Sequence, residues 1–338
     1  MALLEVERLS IGITRRHGII PVVDEVSFTL DRGEVLGVIG ESGSGKSLTA
    51  KAVARLNPES SVRYTSGRIT FNGIDVLSAS REGLRAMRGA GISMIFQDPA
   101  AGFNPVLTIG EQIGEAVREA EGLTRAETAR RVVAALGDVG IAKPELRARQ
   151  YPHEFSGGML QRAMIAMALI RRPSILVADE PTTALDVTVQ AEVLDLILDL
   201  RARFDMGVLF ITHDMGVIAK VADRVMVMYA GRAVETGPTD DIFHDPLMPY
   251  TRDLLDSIPT LDKSLDTLVA IPGRPPVPLR RPAGCRYHPR CAVAIPICRE
   301  AEPALIERRS GHRAACHHAA GASAISGRAR PPLAEAAN

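Results

Sequence analysis

The segment Gly40-Glu41-Ser42-Gly43-Ser44-Gly45-Lys46-Ser47 has the spacing G-x-x-x-x-G-K-[ST], which serves one kind of chemistry. Its glycines let successive backbone N–H groups converge on phosphate oxygens. The helix that follows adds positive potential at its N-terminus, Lys46 reaches the β- and γ-phosphates, and Ser47 holds Mg²⁺. In a chain of 338 residues with 29 glycines, an accidental match arises about once in 300 cases. Downstream, Ile175-Leu176-Val177-Ala178-Asp179-Glu180 is an apolar run closed by two carboxylates. Asp179 at the strand's end suits Mg²⁺ through water, and Glu180, one residue on, would face a water near the γ-phosphate. Many strands end in acids, and a lone Glu180 would read as a solvated loop residue. The company of the glycine loop gives the pair its meaning.

These groups need elements to place them. Glu34 to Gly40 reads as a buried strand running into the glycine loop, and a helix is expected from Lys46 through Ala54. Residues 3–9 and 24–31 read as short strands, with Gly33 at a turn. Residues 67–76 alternate about Asn72-Gly73 and predict a hairpin. From 106 to 150 the period becomes helical, with Ile109, Ile113 and Val117 on one stripe. Thr124-Arg125-Ala126-Glu127 is a capping box for a second helix, with Gly137 as its stop. A third helix is expected over 158–170, burying Leu160, Ala163, Met164, Met167 and Ala168. Ser174–Ala178 and Val208–Ile211 are continuous apolar runs, the pattern of parallel strands buried on both faces. Helices alternate with them, so the core is α/β.

Composition narrows the class. Hydrophobic residues are 46% and charged residues 24% of the chain, a globular mix. Lys+Arg and Asp+Glu are both 40, so the basic excess of a nucleic-acid binder is missing. No apolar run reaches the ~18–20 residues of a membrane span, and Met1-Ala2-Leu3-Leu4-Glu5 is not a signal peptide. A cytosolic protein is expected. The texture changes after about 240, where prolines crowd residues 272–282. The four cysteines, Cys285, Cys291, Cys298 and Cys316, all follow. In a cytosolic chain such clustering favours a metal site over disulfides. Four thiolates suit Zn²⁺ or an iron–sulfur cluster, although the spacing is wider than the C-x2-C of most zinc sites, and four free thiols are a third reading. His312, His317 and His318 are spare ligands, read as bystanders.

Six motifs in order carry a resemblance. Gln97 follows the strand at 92–96; Phe155-Ser156-Gly157-Gly158-Met159 stands between the two phosphate motifs, followed by Gln161-Arg162; Pro181-Thr182-Thr183-Ala184-Leu185-Asp186 follows Glu180; and Thr212-His213-Asp214 comes last. Over residues 3–240 this resembles the ATP-binding cassette (ABC) ATPases: Walker A, Q-loop, signature, Walker B, D-loop, switch histidine. The cysteine segment and the sequence around the signature look like the ATPase subunits of dipeptide/oligopeptide importers. Some relatives of these subunits import nickel or other small solutes. The implied fold is a RecA-like P-loop ATPase core with an antiparallel β subdomain and a helical subdomain near 98–155. It is followed by a small Cys-containing C-terminal domain over 241–318 and a disordered tail over 319–338.

The resemblance also implies roles. ATP would lie on Gly40 through Ser47 and Leu48 with Asp179, and Ser47, Gln97 and Asp179 would hold Mg²⁺. Glu180 would be the base or water-orienter, Gln97 would touch the attacking water, and His213 would contact the γ-phosphate. Ser156, Gly157, Gly158 and Met159 would face the ATP of a partner subunit, with Asp186 at that interface. A lone histidine after a strand is more often structural; the following Asp214 and the motif order reverse this for His213. Phe155 and Met159 replace the general family's Leu and Gln, a variation usual in the importer group. The adenine-stacking aromatic is not obvious; His17 stands near its place, and an ordinary loop histidine reads equally well. Cys285, Cys291, Cys298 and Cys316 are implied to carry a structural [4Fe–4S] cluster, with zinc as the alternative. The partners implied are a second, different ATPase chain, two membrane permeases and an extracytoplasmic solute-binding protein, with this chain peripheral on the cytoplasmic face of the membrane. A soluble ABC ATPase acting on ribosomes or DNA is disfavoured by the single phosphate loop and the short Lys46-to-Asp179 interval. A non-hydrolysing nucleotide binder would lack Glu180 or His213.

Overall fold

The computed structural model describes residues 2–16, 18–183, 185–258 and 271–318. The chain opens with β1 (Leu4–Arg15), β2 (Gly18–Leu30), β3 (Val35–Ile39), α1 (Lys46–Val53), β4 (Val62–Phe71), β5 (Ile74–Asp75), α2 (Arg81–Met87) and β6 (Ile92–Ile95). Four helices follow: α3 (Ile109–Glu121), α4 (Arg125–Asp138), α5 (Pro144–Arg147) and α6 (Gly157–Leu169). Then come β7 (Ile175–Asp179), α7 (Val187–Phe204), β8 (Gly207–Ile211), α8 (Met215–Val221), β9 (Arg224–Tyr229) and β10 (Arg232–Pro238). The chain continues through α9 (Thr239–His244), α10 (Pro249–Asp256), α11 (Ile297–Glu300), β11 (Ile306–Arg309) and β12 (His312–Ala314).

Among the described residues two sheets result, one antiparallel in the order β2-β1-β4-β5 and one of eight strands in the order β11-β12-β10-β9-β3-β8-β7-β6. Strands β9, β3, β8, β7 and β6 run parallel. Both faces of this sheet are covered, so every residue of β3, β7 and β8 is buried. Alternate residues serve opposite sides, as the two-residue period of a strand requires. Leu36, Val38, Ile175, Val177, Leu209 and Ile211 pack with α1 and the antiparallel sheet. Val35, Ile39, Leu176, Ala178, Val208 and Phe210 pack with α3, α4, α6 and α7.

Local signals explain the element ends. Thr108 and Thr124 each accept from the backbone N–H three residues on, while Glu111 and Glu127 reach back, completing two capping boxes. Gly137 does not stop α4. The helix runs on to Asp138 and the left-handed residue is Gly140, at φ 74°. Asn72 and Gly73, with φ 47° and 81°, form the expected two-residue turn, which pairs Phe71 with Ile74. Strands β1 and β2 are longer than expected because bulges near Leu9 and Ile11 break the alternation that would mark them.

Past residue 240 the chain returns to the same sheet. β12 pairs with β10, setting Glu235 opposite Ala314, and the β11–β12 hairpin extends the edge. Glu235 and His312 are fully buried and paired at 2.8 Å, and the Glu235 carboxylate also accepts from the Leu247 and Met248 N–H groups at 2.5 and 3.2 Å. A buried carboxylate is tolerated only when its oxygens are so occupied. Arg286 ties the cysteine segment to the core through the Ala230 carbonyl at 2.7 Å and through Asp24.

Candidate nucleotide site

The glycine loop leaves β3, an interior strand of the parallel set between β9 and β8, and enters α1. Gly40 has φ 145°, and a Cβ there would lie 2.1 Å from the Met228 carbonyl oxygen. Gly45, at φ 102°, caps α1. Both positions demand glycine, which fixes the loop's path over the sheet. Lys46 is buried, and its Nζ donates to the carbonyls of Gly40 at 2.7 Å and Glu41 at 3.1 Å. Burial lowers its pKa, opposed by the charges of Glu180, Asp179 and Glu41. The Ser44 hydroxyl is buried with no partner among the described residues. An orphaned donor beside a buried ammonium suits an anion, and a phosphate supplies the missing oxygen.

The acidic end of β7 faces this loop. Ser47 Oγ donates to Asp179 Oδ1 at 2.9 Å. Burial raises the Asp179 pKa and the Ser47 hydrogen bond opposes it. A hydroxyl and a carboxylate are the oxygen donors that Mg²⁺ takes, alongside phosphate and water. Glu180 sits at φ 52°, a sparsely populated conformation for a residue with a side chain. Its N–H donates to Ile211 O at 2.8 Å. Its Oε2 receives Gln97 Nε2 at 3.0 Å and Thr183 Oγ1 at 2.9 Å, with His213 Nδ1 at 3.4 Å. Gln97 lies two residues past β6 and His213 two past β8, the strands that flank β7. Three neighbouring parallel strand ends therefore deliver three side chains to one carboxylate.

Other predicted residues lie elsewhere. Ser156 caps α6, accepting from Met159 N at 3.4 Å, and Gly157 has open space about its Cα. A Cβ on Gly158 would touch Val189 at 3.0 Å, and exposed Asp186 caps α7 by accepting from Val189 N at 3.0 Å. The signature and Asp186 thus adjoin one another through Val189. Among the described residues neither shares a hydrogen bond with residues 40–47. Leu48 is half-buried on α1, packed against the cluster beneath the antiparallel sheet. His17 lies outside the described residues.

The iron–sulfur expectation, with its zinc alternative, is overturned. Among the described residues no group of three or more His, Cys, Asp or Glu side chains is arranged to hold a metal ion. Cys285, Cys298 and Cys316 are buried in the main hydrophobic cluster, and half-buried Cys291 packs against it. Burial pushes the Cys285 and Cys291 thiols up to about 11 and raises Cys316 as well. His317 and His318 are committed to the carbonyls of Ala301 at 2.8 Å and Val293 at 2.7 Å. The spacing misled because clustered cysteines look alike whether they ligate or simply pack. Sequence reasoning missed Thr183 as a Glu180 partner, for want of a distinctive signal. It also missed two partners of Glu41, Tyr250 and Arg290, which are 209 and 249 residues away.

A glycine loop between an interior parallel strand and a helix, facing an acidic strand end ringed by Gln97, Thr183 and His213, defines a phosphate-loop nucleotide-binding protein of the ATP-binding cassette class. The chain belongs to the ABC transporter family. That family's model matches residues 23–183, and the model of the oligopeptide/dipeptide transporter C-terminal region matches residues 234–298. It is 49% identical over 303 residues to a putative peptide import ATP-binding protein of Brucella abortus, covering 90% of this chain and 91% of that one. It is 45% identical over 313 residues to the dipeptide transport ATP-binding protein DppD of Bacillus subtilis, with 93% of each chain covered. Among solved structures, a dimeric ATP-binding cassette in a post-hydrolysis state, bound to ADP and Pi, shares the fold. The TM-score is 0.63 at 24% identity, covering 70% of this chain and 98% of that one. The cbiO1 protein of Clostridium perfringens, part of an ABC transporter complex, superposes with a TM-score of 0.60 at 27% identity, covering 72% and 91%.

Proposed function

We propose that this chain is the ATP-hydrolysing subunit of an importer for dipeptides or oligopeptides, seated peripherally on the cytoplasmic face of the membrane. The carrying observation for hydrolysis is the convergence of Gln97, Thr183 and His213 on Glu180 Oε2, next to the Ser47–Asp179 pair. The peptide class is supported by relatives that match the chain almost end to end, including the C-terminal region. Gly40 through Leu48 and Asp179 bind the nucleotide. Ser47, Asp179 and Gln97 hold Mg²⁺, which neutralises charge on the β- and γ-phosphates when bound. Glu180 accepts from the attacking water while Gln97 and Thr183 keep its carboxylate in place. His213, whose side chain is 64% exposed, is free to reach an incoming γ-phosphate.

The signature residues Ser156 to Met159 and the exposed Asp186 serve the nucleotide of a facing ATPase subunit, a different chain. Val187, 83% exposed beside Asp186, fits a surface that such a partner covers. Among the described residues no helix is long and apolar enough to cross a membrane, and two permease subunits supply the pathway. An extracytoplasmic binding protein supplies the solute. Cells lacking this chain should fail to accumulate a labelled dipeptide, and the parent chain but not Glu180→Gln should restore uptake. Restoration by Glu180→Gln would remove hydrolysis from the account.

A further inference from the structure

Glu41 places a carboxylate inside the loop proposed to hold a triphosphate, where its charge opposes the ligand. It does not stand alone. Arg290 meets it with two hydrogen bonds, Nη1 to Oε2 at 2.6 Å and Nη2 to Oε1 at 3.0 Å. The Arg290 side chain is 5% exposed. Its Nε donates to Pro272 O at 2.8 Å and its Nη1 also to Tyr229 Oη at 3.3 Å. The guanidinium carbon lies 5.8 Å from the ring centres of both Tyr229 and Tyr287. Burial works against the Arg290 charge, yet the bonds to Glu41 and Tyr229 outweigh it and raise its pKa above the ordinary value. The Glu41 N–H donates to Tyr250 Oη at 2.9 Å, and the Tyr229, Tyr250 and Tyr287 rings pack at 4.5 to 5.2 Å. A planar fork on a carboxylate, buried between aromatic rings, is a built and rigid contact. Its two ends are 249 residues apart, and one of them lies between two of the cysteines.

We propose that Arg290 of the cysteine segment is a positioning residue for nucleotide binding: it neutralises Glu41 and holds that carboxylate on itself, so that the loop presents Lys46 and its N–H groups to MgATP unopposed. The C-terminal segment thereby sets the affinity of the phosphate site. This rests on the reading of residues 40–47 as the triphosphate loop.

The test is equilibrium binding of a fluorescent MgATP analogue to the full-length chain. Arg290→Ala should weaken binding about tenfold, the scale of one charge left uncompensated beside the ligand. Arg290→Lys, which keeps the charge and loses the fork, should weaken it about threefold. Glu41→Gln combined with Arg290→Ala should bind more tightly than Arg290→Ala alone and regain most of the lost affinity. The Arg290→Ala deficit should shrink as salt rises. A packing role alone gives no such rescue, so a double variant as weak as Arg290→Ala overturns the proposal, as does parental binding by Arg290→Ala. Should Arg290→Ala lose its cooperative melting transition, Arg290→Lys and its combination with Glu41→Gln are read in its place, by the same criteria. Lys46→Ala separates the two readings. Parental binding by Lys46→Ala removes the triphosphate loop itself, whereas lost binding there with parental binding by Arg290→Ala removes only the role given to Arg290.

Discussion

The phosphate loop and the cysteine segment are both clusters of chemistry-bearing residues, yet the sequence speaks truly of only one. In the loop the message is carried by backbone demands: Gly40 at φ 145° against a carbonyl, Gly45 at φ 102° before α1. No alternative residue meets those demands, so the spacing implies the geometry. In the cysteine segment the message is carried by side-chain type alone. Thiols that pack in a core are spelled the same way as thiols that ligate. Lys46→Ala tests the stronger half first. Loss of the buried ammonium among Asp179, Glu180 and Glu41 should cost the chain at least about 10³-fold in ATP turnover. Turnover at the parental rate would put the loop in the same class as the cysteines, a pattern without a function.

Glu180→Gln sharpens the comparison within the loop's own neighbourhood. The amide keeps the shape and surrenders the base, so single-turnover hydrolysis should fall about 10²- to 10³-fold while MgATP binding is retained. Hydrolysis at the parental rate with binding intact would reassign the base. Thr183→Ala is a smaller change. It deletes one of the donors holding Glu180 Oε2, and the Gln97 bond at 3.0 Å remains, so a fall of about tenfold in the same assay is expected. An unchanged rate would show that Gln97 suffices to orient the carboxylate.

Legibility followed the range over which each signal acts. Strands β3, β7 and β8 could be read because burial on both faces makes them continuous apolar runs, broken only by Asp179 at the end of β7. The capping box at Thr124 could be read because it depends on residues three apart; sequence reasoning missed the same box at Thr108. Gln97, Glu180 and His213 are far apart in sequence, and only the order of motifs joins them on paper; in space the parallel order of β6, β7 and β8 does so. Nothing local announces that β12 will pair with β10, or that Arg290 will hold Glu41. Both contacts are decided by where the chain returns after residue 240. The bulges in β1 erased its alternation and hid its length.

The smallest effect belongs to the cysteines, and pH decides it. The reactive form of a thiol is the thiolate, and burial holds Cys291 near a pKa of about 11 against ~8.5 for a free cysteine. Alkylation of half-buried Cys291 at pH 8 should therefore run at least about 10²-fold slower than that of a small thiol, and climb about tenfold per pH unit up to pH ~11 rather than levelling near 9. The linkage has the same sign. A folded-state pKa raised above the unfolded one means the native state binds the proton more tightly. This contribution to stability is complete below pH ~8.5 and is lost as pH rises toward 11. Cys291→Ser removes that titration and replaces one partly buried polarisable atom, so the melting midpoint at pH 7 should drop by an amount equivalent to less than about 1 kcal/mol. A metal-ligating cysteine would behave oppositely: alkylation would await a chelator, and the serine variant would lose several kcal/mol with its ion. Either result would restore the metal site that the arrangement of these side chains excludes.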